Sequence, residues 1–313
     1  MPTFDVVVSA ENNPFMVWQT MLFHFSCVTH LGQVPIVVVH KDAEPLLPGF
    51  EQIARTGGVV QTAPNYRKHG GVNYPPRNTA ATLRFVESNA DYIVLCDPDM
   101  IFLGPPRWPA AALRRRKISV DQLTYLDPDA AAHQPVLDDV CRRAGVAPER
   151  LRDPVLNGGV PHVIPARLRE PLSREWLEIM ALFPNMAPWP VEQAAPLCRE
   201  CHIGEQKDWL ATMWAIVLAV HRLGLNAIVT DWCLTNFEGG QRLPRARPDG
   251  PTMIHYCYGD AGFDKRRFDT REAAETGVWN LPDGDRTITG TIRRQLREAA
   301  AFYRRARARY AGR

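Results

Sequence analysis

Residues 91–99 read Asp-Tyr-Ile-Val-Leu-Cys-Asp-Pro-Asp, an apolar run that ends in an acidic turn. The run over residues 92–96 predicts a buried strand. Ligands of mostly parallel sheets bind beyond the carboxyl ends of the strands, so Asp97 and Asp99 stand where chemistry is expected. Two carboxylates at i and i+2 on extended backbone point to the same side, and such a pair suits a hard divalent cation that bridges a diphosphate.

Apolar runs of the same kind recur along the chain at residues 4–9, 35–40 and 58–61, with helical patterns between them. Further strands are predicted at residues 227–230 and 253–258. Continuous apolar strands that alternate with helices indicate an α/β fold with a mostly parallel central sheet and helices on both faces.

The last helical pattern has apolar residues at 3.6-residue spacing and arginines on its other faces. Its apolar positions are Ile292, Leu296, Ala299, Tyr303, Ala306 and Tyr310. This spacing predicts an amphipathic helix that docks by one face.

The composition is that of an ordinary globular protein: of 313 residues, 45% are hydrophobic and 23% are charged, and the net charge is +3. These values exclude a disordered chain and do not require a nucleic-acid or membrane partner. The start lacks the basic region of a signal peptide, and the longest apolar run, residues 209–220, is shorter than the ~20 residues that cross a bilayer. Seven cysteines, an odd number, argue against a disulfide framework. The expectation is a soluble, cytoplasmic protein without a membrane partner.

Three further features fit a binding site at the same sheet edge. Asn157-Gly158-Gly159 precedes a strand, where glycines permit the close approach of a ligand or form a tight turn. Glu205 and Asp208 stand three residues apart at a helix start, hence on one face, where acids also suit the helix dipole. His255 lies in an apolar run, either as a metal ligand or as a satisfied core residue.

Four stretches, taken in order, resemble GT-A glycosyltransferases, and most of all the group of plant hydroxyproline O-arabinosyltransferases and peptidyl-serine O-galactosyltransferases. The stretches are Val17-Trp18-Gln19, Tyr74-Pro75-Pro76-Arg77-Asn78, the run from Tyr92 to Met100, and Ile254-His255-Tyr256-Cys257-Tyr258-Gly259. The Asp-x-Asp element is common to many GT-A enzymes, whereas the Trp-Gln and His-Tyr-x-Tyr-Gly elements are more specific.

The resemblance implies a metal site and a donor site. Asp97 and Asp99 would hold Mn²⁺ (or Mg²⁺) against the donor diphosphate, with His255 as the third protein ligand. Five further residues would border the donor: Ser9, Ala10, Glu11, Arg77 and Asn78. The last two open a helix, in agreement with anion binding at helix N-termini.

The resemblance also implies where the sugar and the acceptor lie. Asn157, Gly158 and Gly159 would be close to both, and Glu205 or Asp208 would be the acid beside the reacting carbon.

The implied activity is metal-dependent transfer of a hexose or pentose from a nucleotide-diphosphate-sugar, with a UDP-sugar expected, to a hydroxyl acceptor. Retention of anomeric configuration is expected. The acceptor class, whether small molecule, peptide or modified nucleic acid, stays open.

Residues 1–125 would be the Rossmann-like nucleotide-sugar-binding half, and residues 126–270 would be the acceptor-binding and catalytic half of the same GT-A domain. Residues 271–313 would be a basic helical segment.

Two alternatives stay open. After Thr291 the chain carries many arginines against the single acid Glu298, which indicates a solvated helix face or a footprint for nucleic acid. The second possibility would make the protein a glycosyltransferase acting on a modified nucleobase or nucleic acid. A non-catalytic nucleotide-sugar-binding module is the alternative of another class. Nucleotidyl transfer is disfavoured, because the turn after the first strand lacks a Gly-rich basic loop.

The cluster Cys198-Arg199-Glu200-Cys201-His202 spells the pattern of c-type haem attachment. Haem attachment takes place outside the cytoplasm, so it is disfavoured here. The same cluster, with Cys233 or another residue, could bind a structural zinc ion, but the second cysteine pair of a standard spacing is missing.

Overall fold

The computed structural model describes residues 2–70, 72–109, 113, 117–122, 126, 128–129, 134–152, 158–183, 210–235, 237, 240–244, 250–257, 262–282 and 284–311. The chain divides into two compact units built from interleaved segments. The first unit comprises Met1–Asp5, Asn65–Leu95 and Trp108–Thr230, and the second comprises Val6–Pro64, Cys96–Arg107 and Asp231–Arg313.

The strands and helices have the following bounds. The strands are β1 (Phe4–Glu11), β2 (Ile36–Lys41), β3 (Val59–Pro64), β4 (Lys68–His69), β5 (Val72–Asn73), β6 (Tyr92–Cys96), β7 (Met100–Phe102), β8 (Lys117–Asp121), β9 (Gly159–Pro165), β10 (Asn226–Thr230), β11 (Cys233–Leu234) and β12 (Met253–His255). The α-helices are α1 (Pro14–Ser26), α2 (Pro48–Arg55), α3 (Arg77–Phe85), α4 (Gln134–Ala144), α5 (Arg169–Leu182), α6 (Leu210–Arg222), α7 (Arg271–Glu275) and α8 (Ile288–Ala311).

In the second unit, β2 pairs in parallel with both β1 and β3. The valines at the centre of β1 and β2 are fully buried, as their continuous apolar runs predict. Helix α1 begins where Asn13 accepts a hydrogen bond from the backbone N–H of Met16 at 2.9 Å, with Pro14 in the first turn. A smaller sheet in the same unit joins β11, β12 and β7.

In the first unit, β10 and β8 are parallel, and β9 runs antiparallel to β8 and β6. Helix α5 packs against α3 and α6. Two side chains of α5 fix this packing, because the hydroxyl of Ser173 donates to the carbonyl of Ala80 at 2.7 Å and the indole of Trp176 donates to the carbonyl of Thr212 at 2.8 Å.

The predicted α/β class, with mostly parallel strands and helices between them, is confirmed. Boundaries differ at several elements. Helix α3 ends at Phe85, because Val86 turns to an extended conformation and its backbone N–H closes the last turn by donating to the carbonyl of Thr82. The strand predicted over residues 253–258 stops at His255, the last residue that pairs with a residue of β7. The division of roles among residues 1–125, 126–270 and 271–313 stays a prediction.

Helix α8 is amphipathic as predicted. Ile292, Leu296, Ala299 and Tyr303 are buried, and Ala306 is half-buried. Among the side chains of this helix that the structure describes, the exposed arginines are Arg294, Arg297, Arg304 and Arg305. Nucleic-acid binding by this face stays a prediction. None of the helices in the described part of the chain combines the length and apolar composition needed to cross a membrane.

A buried imidazole ties α1 to α8. His24 is fully buried, and its Nδ1 lies 2.7 Å from the hydroxyl of Tyr303, which in turn donates to the carbonyl of Met21 at 3.2 Å. Burial lowers the pKa of His24 from 6.5 to about 4. Within this pH interval the unfolded chain binds a proton at residue 24 that the folded chain does not, so the folded state loses stability as the pH falls.

We therefore expect wild type and His24→Asn to differ in the pH dependence of stability. The wild type should lose up to about 1.4 kcal/mol of unfolding free energy per pH unit, relative to the variant, as the pH falls from 6 to 4.5. Urea unfolding followed by tryptophan fluorescence measures this difference. The control Tyr303→Phe removes the hydrogen bond but keeps the buried imidazole, so it should retain the wild-type slope. Parallel curves for wild type and His24→Asn would contradict the assignment.

Candidate metal centre

The pairing of β7 with β12 brings a histidine to the acidic turn. The two strands are antiparallel, with Met253 opposite Phe102 and His255 opposite Met100. The ladder continues past the strand end, because the backbone N–H of Tyr256 donates to the carbonyl of Asp99 at 3.0 Å. His255 therefore lies beside the turn that contains both carboxylates.

Asp97, Asp99 and His255 offer ligand atoms that all lie within 4.8 Å of one another. The Nε2 atom of His255 is 3.3 Å from Oδ1 of Asp99 and 3.9 Å from Oδ2 of Asp97. The side chains of His255 and Asp99 are 3% and 7% exposed. Neither ring nitrogen of His255 makes a well-directed hydrogen bond within the described residues. A buried nitrogen without such a bond and two converging carboxylates fit a divalent cation.

Lys265 also belongs to this site, although it is not among the residues predicted from the sequence. Its ammonium pairs closely with Oδ2 of Asp99, and its side chain is only 14% exposed. A signal was present in the sequence: lysine is rare among the 37 basic residues of the chain, and Lys265 follows the His-Tyr-x-Tyr-Gly element by a few residues.

The charges of the site act on one another strongly. Burial and the negative charge of Asp99 raise the pKa of Asp97 to about 6. Burial alone would raise the pKa of Asp99, but the nearby charges of Lys265 and His255 hold it well below its usual range. Burial opposes a charge on His255, yet Asp99 outweighs this effect and raises the pKa of the imidazole. The two carboxylates thus favour the charged forms of Lys265 and His255 even when no metal ion is bound.

An aromatic cluster supports the segment that carries Lys265. Trp18 is fully buried and stacks on Tyr256, with ring centroids 6.2 Å apart. Its indole meets Phe263 and Phe268 edge-on and donates to the carbonyl of Phe268 at 3.3 Å. The Trp-Gln element of α1 therefore has a structural function in this unit.

The predicted donor residues in β1 lie at the carboxyl end of the strand. Ser9, Ala10 and Glu11 are buried and pair with residues 38–40 of β2. The side chain of Glu11 accepts a hydrogen bond from Asn13 at 3.4 Å. Contact of these residues with a nucleotide stays a prediction.

Arg77 and Asn78 open α3, as predicted, but both are buried. Arg77 donates to the carbonyls of Tyr66 and Leu177, and Asn78 accepts from the backbone N–H of Tyr66 at 2.7 Å. These bonds stabilise the loop before the helix. A direct role of either side chain toward the donor stays a prediction.

Gly158 and Gly159 lie at the start of β9, where Gly159 pairs with Asp121. A Cβ on Gly158 would lie 2.6 Å from the carbonyl oxygen of Met213, so the close approach at this glycine is to the backbone of α6. Proximity of the two glycines to sugar and acceptor stays a prediction. Asn157, Glu205, Asp208 and the Cys198/Cys201/His202 cluster lie outside the described residues.

No protein-family model matches the chain, and no curated protein matches it. Among solved structures, the chain is similar to the bifunctional glycosyltransferase WbbM, with 10% identity, a TM-score of 0.43, and coverage of 95% of this chain and 52% of that one. The chain thus spans about half the length of WbbM.

A second similarity is to the galactosyltransferase LgtC in complex with donor and acceptor sugar analogues, with 10% identity, a TM-score of 0.47 and 95% coverage of each chain. An active-site mutant of LgtC aligns with 12% identity, a TM-score of 0.48 and the same coverage.

The aromatic cluster gives a testable expectation for Trp18→Leu. Loss of the indole should loosen the segment with Tyr256 and Phe263, so hydrogen exchange should accelerate in peptides covering residues 250–257 and 262–268. The control is Phe50→Leu, at a fully buried ring of the same unit. Both variants should lower the free energy of unfolding by roughly 1–4 kcal/mol, because each removes buried ring volume. If each peptide exchanged at the same rate in Trp18→Leu as in Phe50→Leu, the supporting role of Trp18 would be contradicted.

Proposed function

We propose that this protein is a metal-dependent GT-A glycosyltransferase that moves a sugar from a nucleotide-diphosphate-sugar to a hydroxyl acceptor. The observation that carries the proposal is the convergence of Asp97, Asp99 and His255 beyond a buried strand. The resemblance of the surrounding motifs to GT-A enzymes supports it. The proposed donor is a UDP-sugar, and the transferred sugar is a hexose or a pentose.

Asp97, Asp99 and His255 would hold the cation. Sites for Mg²⁺ are typically built from oxygen ligands and water, so two carboxylates with an imidazole favour Mn²⁺ over Mg²⁺ as the proposed cation. When bound, the cation would act as a Lewis acid that stabilises the diphosphate leaving group. The protein supplies a fixed geometry, because two ligands belong to one short turn and the third is held by the β7–β12 ladder.

The donor would be bound by the residues that the motif resemblance implies. We assign the nucleotide to Ser9, Ala10 and Glu11 at the carboxyl end of β1, in line with ligand binding at that edge of α/β sheets. Arg77 and Asn78 would shape the donor site through the loop that they stabilise. Asn157, Gly158 and Gly159 would lie near the sugar and the acceptor.

The proposal is tested with protein stripped of metal, Mn²⁺ and a panel of UDP-, GDP- and ADP-sugars. Release of nucleoside diphosphate is the readout. We expect Mn²⁺-dependent hydrolysis of one donor, and a loss of about 100-fold or more in Asp97→Ala and Asp99→Ala, because each removes a charge that organises the leaving group.

The chain contains its own matched control for this experiment. Asp127-Pro128-Asp129 repeats the sequence of the acidic turn, but the side chain of Asp129 is 59% exposed and pairs with Arg152. Asp129→Ala should therefore keep wild-type activity. Equal rates for Asp99→Ala and Asp129→Ala would overturn the metal centre. Saturable donor binding without turnover on any acceptor would favour the non-catalytic module.

The acid beside the reacting carbon is proposed as Asp208, with Glu205 as the other candidate. For a retaining reaction, Asp208 would stabilise positive charge on the reacting carbon while the leaving phosphate takes the acceptor proton. Asp208→Asn should then lower kcat far more than it raises the Kd of the donor, which steady-state kinetics and donor titration measure together. A variant that changes only donor affinity would show that Asp208 does not act on the reacting carbon.

A further inference from the structure

The ammonium of Lys265 lies where it competes with a metal ion. Asp99 has two carboxylate oxygens: Oδ1 faces Nε2 of His255 at 3.3 Å, and Oδ2 pairs with Lys265. Both oxygens therefore already face a nitrogen. A cation bound by Asp99 would approach the same carboxylate that holds the ammonium, in a pocket where little solvent screens the two charges.

The position of Lys265 is fixed by its neighbours in sequence. Asp264 caps the short 3₁₀ turn Lys265–Phe268 by accepting from the backbone N–H of Arg266 at 3.0 Å. Phe263 and Phe268 anchor the two sides of this turn against Trp18. The backbone of Lys265 is thus held in place, and release of the ammonium from Asp99 requires rotation of the side chain alone.

We propose that Lys265 is an internal counter-ion that makes cation binding depend on a diphosphate. An ammonium displaced from Asp99 would be left without an anion in a nearly buried position, which is strongly unfavourable. A nucleoside diphosphate supplies that anion at the same place. The inference rests on the proposed function, because it takes the donor diphosphate as the ligand that draws Lys265 away.

The charge balance of the site leads to the same conclusion. A histidine that binds a metal ion does so as the neutral imidazole. With His255 neutral, two carboxylates and one ammonium give the site a net negative charge. A divalent cation alone would make the site positive, whereas a cation with a diphosphate returns it to negative. Cation and diphosphate should therefore bind cooperatively, and each should raise the affinity for the other by the same factor.

The test is a titration of Mn²⁺ followed by its electron paramagnetic resonance signal, with and without UDP, GDP or ADP. Solutions of nucleotide without protein correct for metal bound by free nucleotide. In the wild type, Mn²⁺ alone should bind weakly, and the preferred nucleotide should tighten its binding at least ten-fold. Lys265→Met keeps the length of the aliphatic chain and removes the charge, so it should bind Mn²⁺ alone at least ten-fold more tightly and lose most of the nucleotide effect.

Two controls separate competition from other effects. Lys265→Arg keeps a positive charge and should keep weak binding of Mn²⁺ alone. Lys41→Met changes the net charge of the protein equally at a side chain whose ammonium donates to the backbone carbonyl of Asp42, and it should behave as wild type. The inference would be overturned if Lys265→Met bound Mn²⁺ no more tightly than the wild type. It would also be overturned if the wild type bound Mn²⁺ tightly without nucleotide.

The failure of this inference differs from the failure of the proposed function. In one case, the wild type hydrolyses a donor, Asp99→Asn loses Mn²⁺ binding, and Lys265→Met binds Mn²⁺ with wild-type affinity. This result would support the enzyme and reject the counter-ion. In the other case, Lys265→Met binds Mn²⁺ more tightly and nucleotide tightens Mn²⁺ binding by the wild type, but no donor is hydrolysed; this result would support the counter-ion and reject the transferase.

Discussion

The candidate metal centre depends on one short ladder, in which β12 pairs with β7. This ladder joins segments separated by more than 150 residues of chain; Tyr256 and Pro98, which it brings into contact, are 158 positions apart. Closing so large a loop is entropically unfavourable, and the compensation comes from burial of Met253, Ile254 and Phe102. The apolar residues of the ladder therefore provide the stability, and the polar residues at its end are carried into position by it.

That position is electrostatically unfavourable in isolation. Two carboxylates that lie close together repel each other, and burial together with the negative charge of Asp99 raises the pKa of Asp97. His255 and Lys265 offset it in the structure. A fold gains no stability from assembling buried acids and then neutralising them, so an arrangement of this kind is typical of a functional site.

The features that the sequence predicted well are local. A buried strand followed by Asp97-Pro98-Asp99 is contained in a few adjacent residues, and the amphipathic pattern of α8 needs only periodicity. His255 required the resemblance of its motif, because its partner turn is far away in sequence. Lys265 was missed since its location depends on how Trp18 packs against Phe263 and Phe268. Likewise, nothing local indicates that Arg77 and Asn78 are buried beneath the loop before α3, or that Gly158 faces the backbone of α6.

The proposed counter-ion also gives Lys265 a role in a site whose metal ligands could bind a cation without it. That role would be selectivity among the available cations. An open pair of carboxylates with an imidazole would take up whichever divalent cation was most available, because such sites discriminate weakly by affinity alone. An ammonium held against Asp99 would weaken the binding of every divalent cation by a similar factor, and a ligand with compensating negative charge would restore it. Selectivity then comes from the diphosphate that accompanies the metal, and the aromatic cluster around Trp18 keeps the lysine within reach of both.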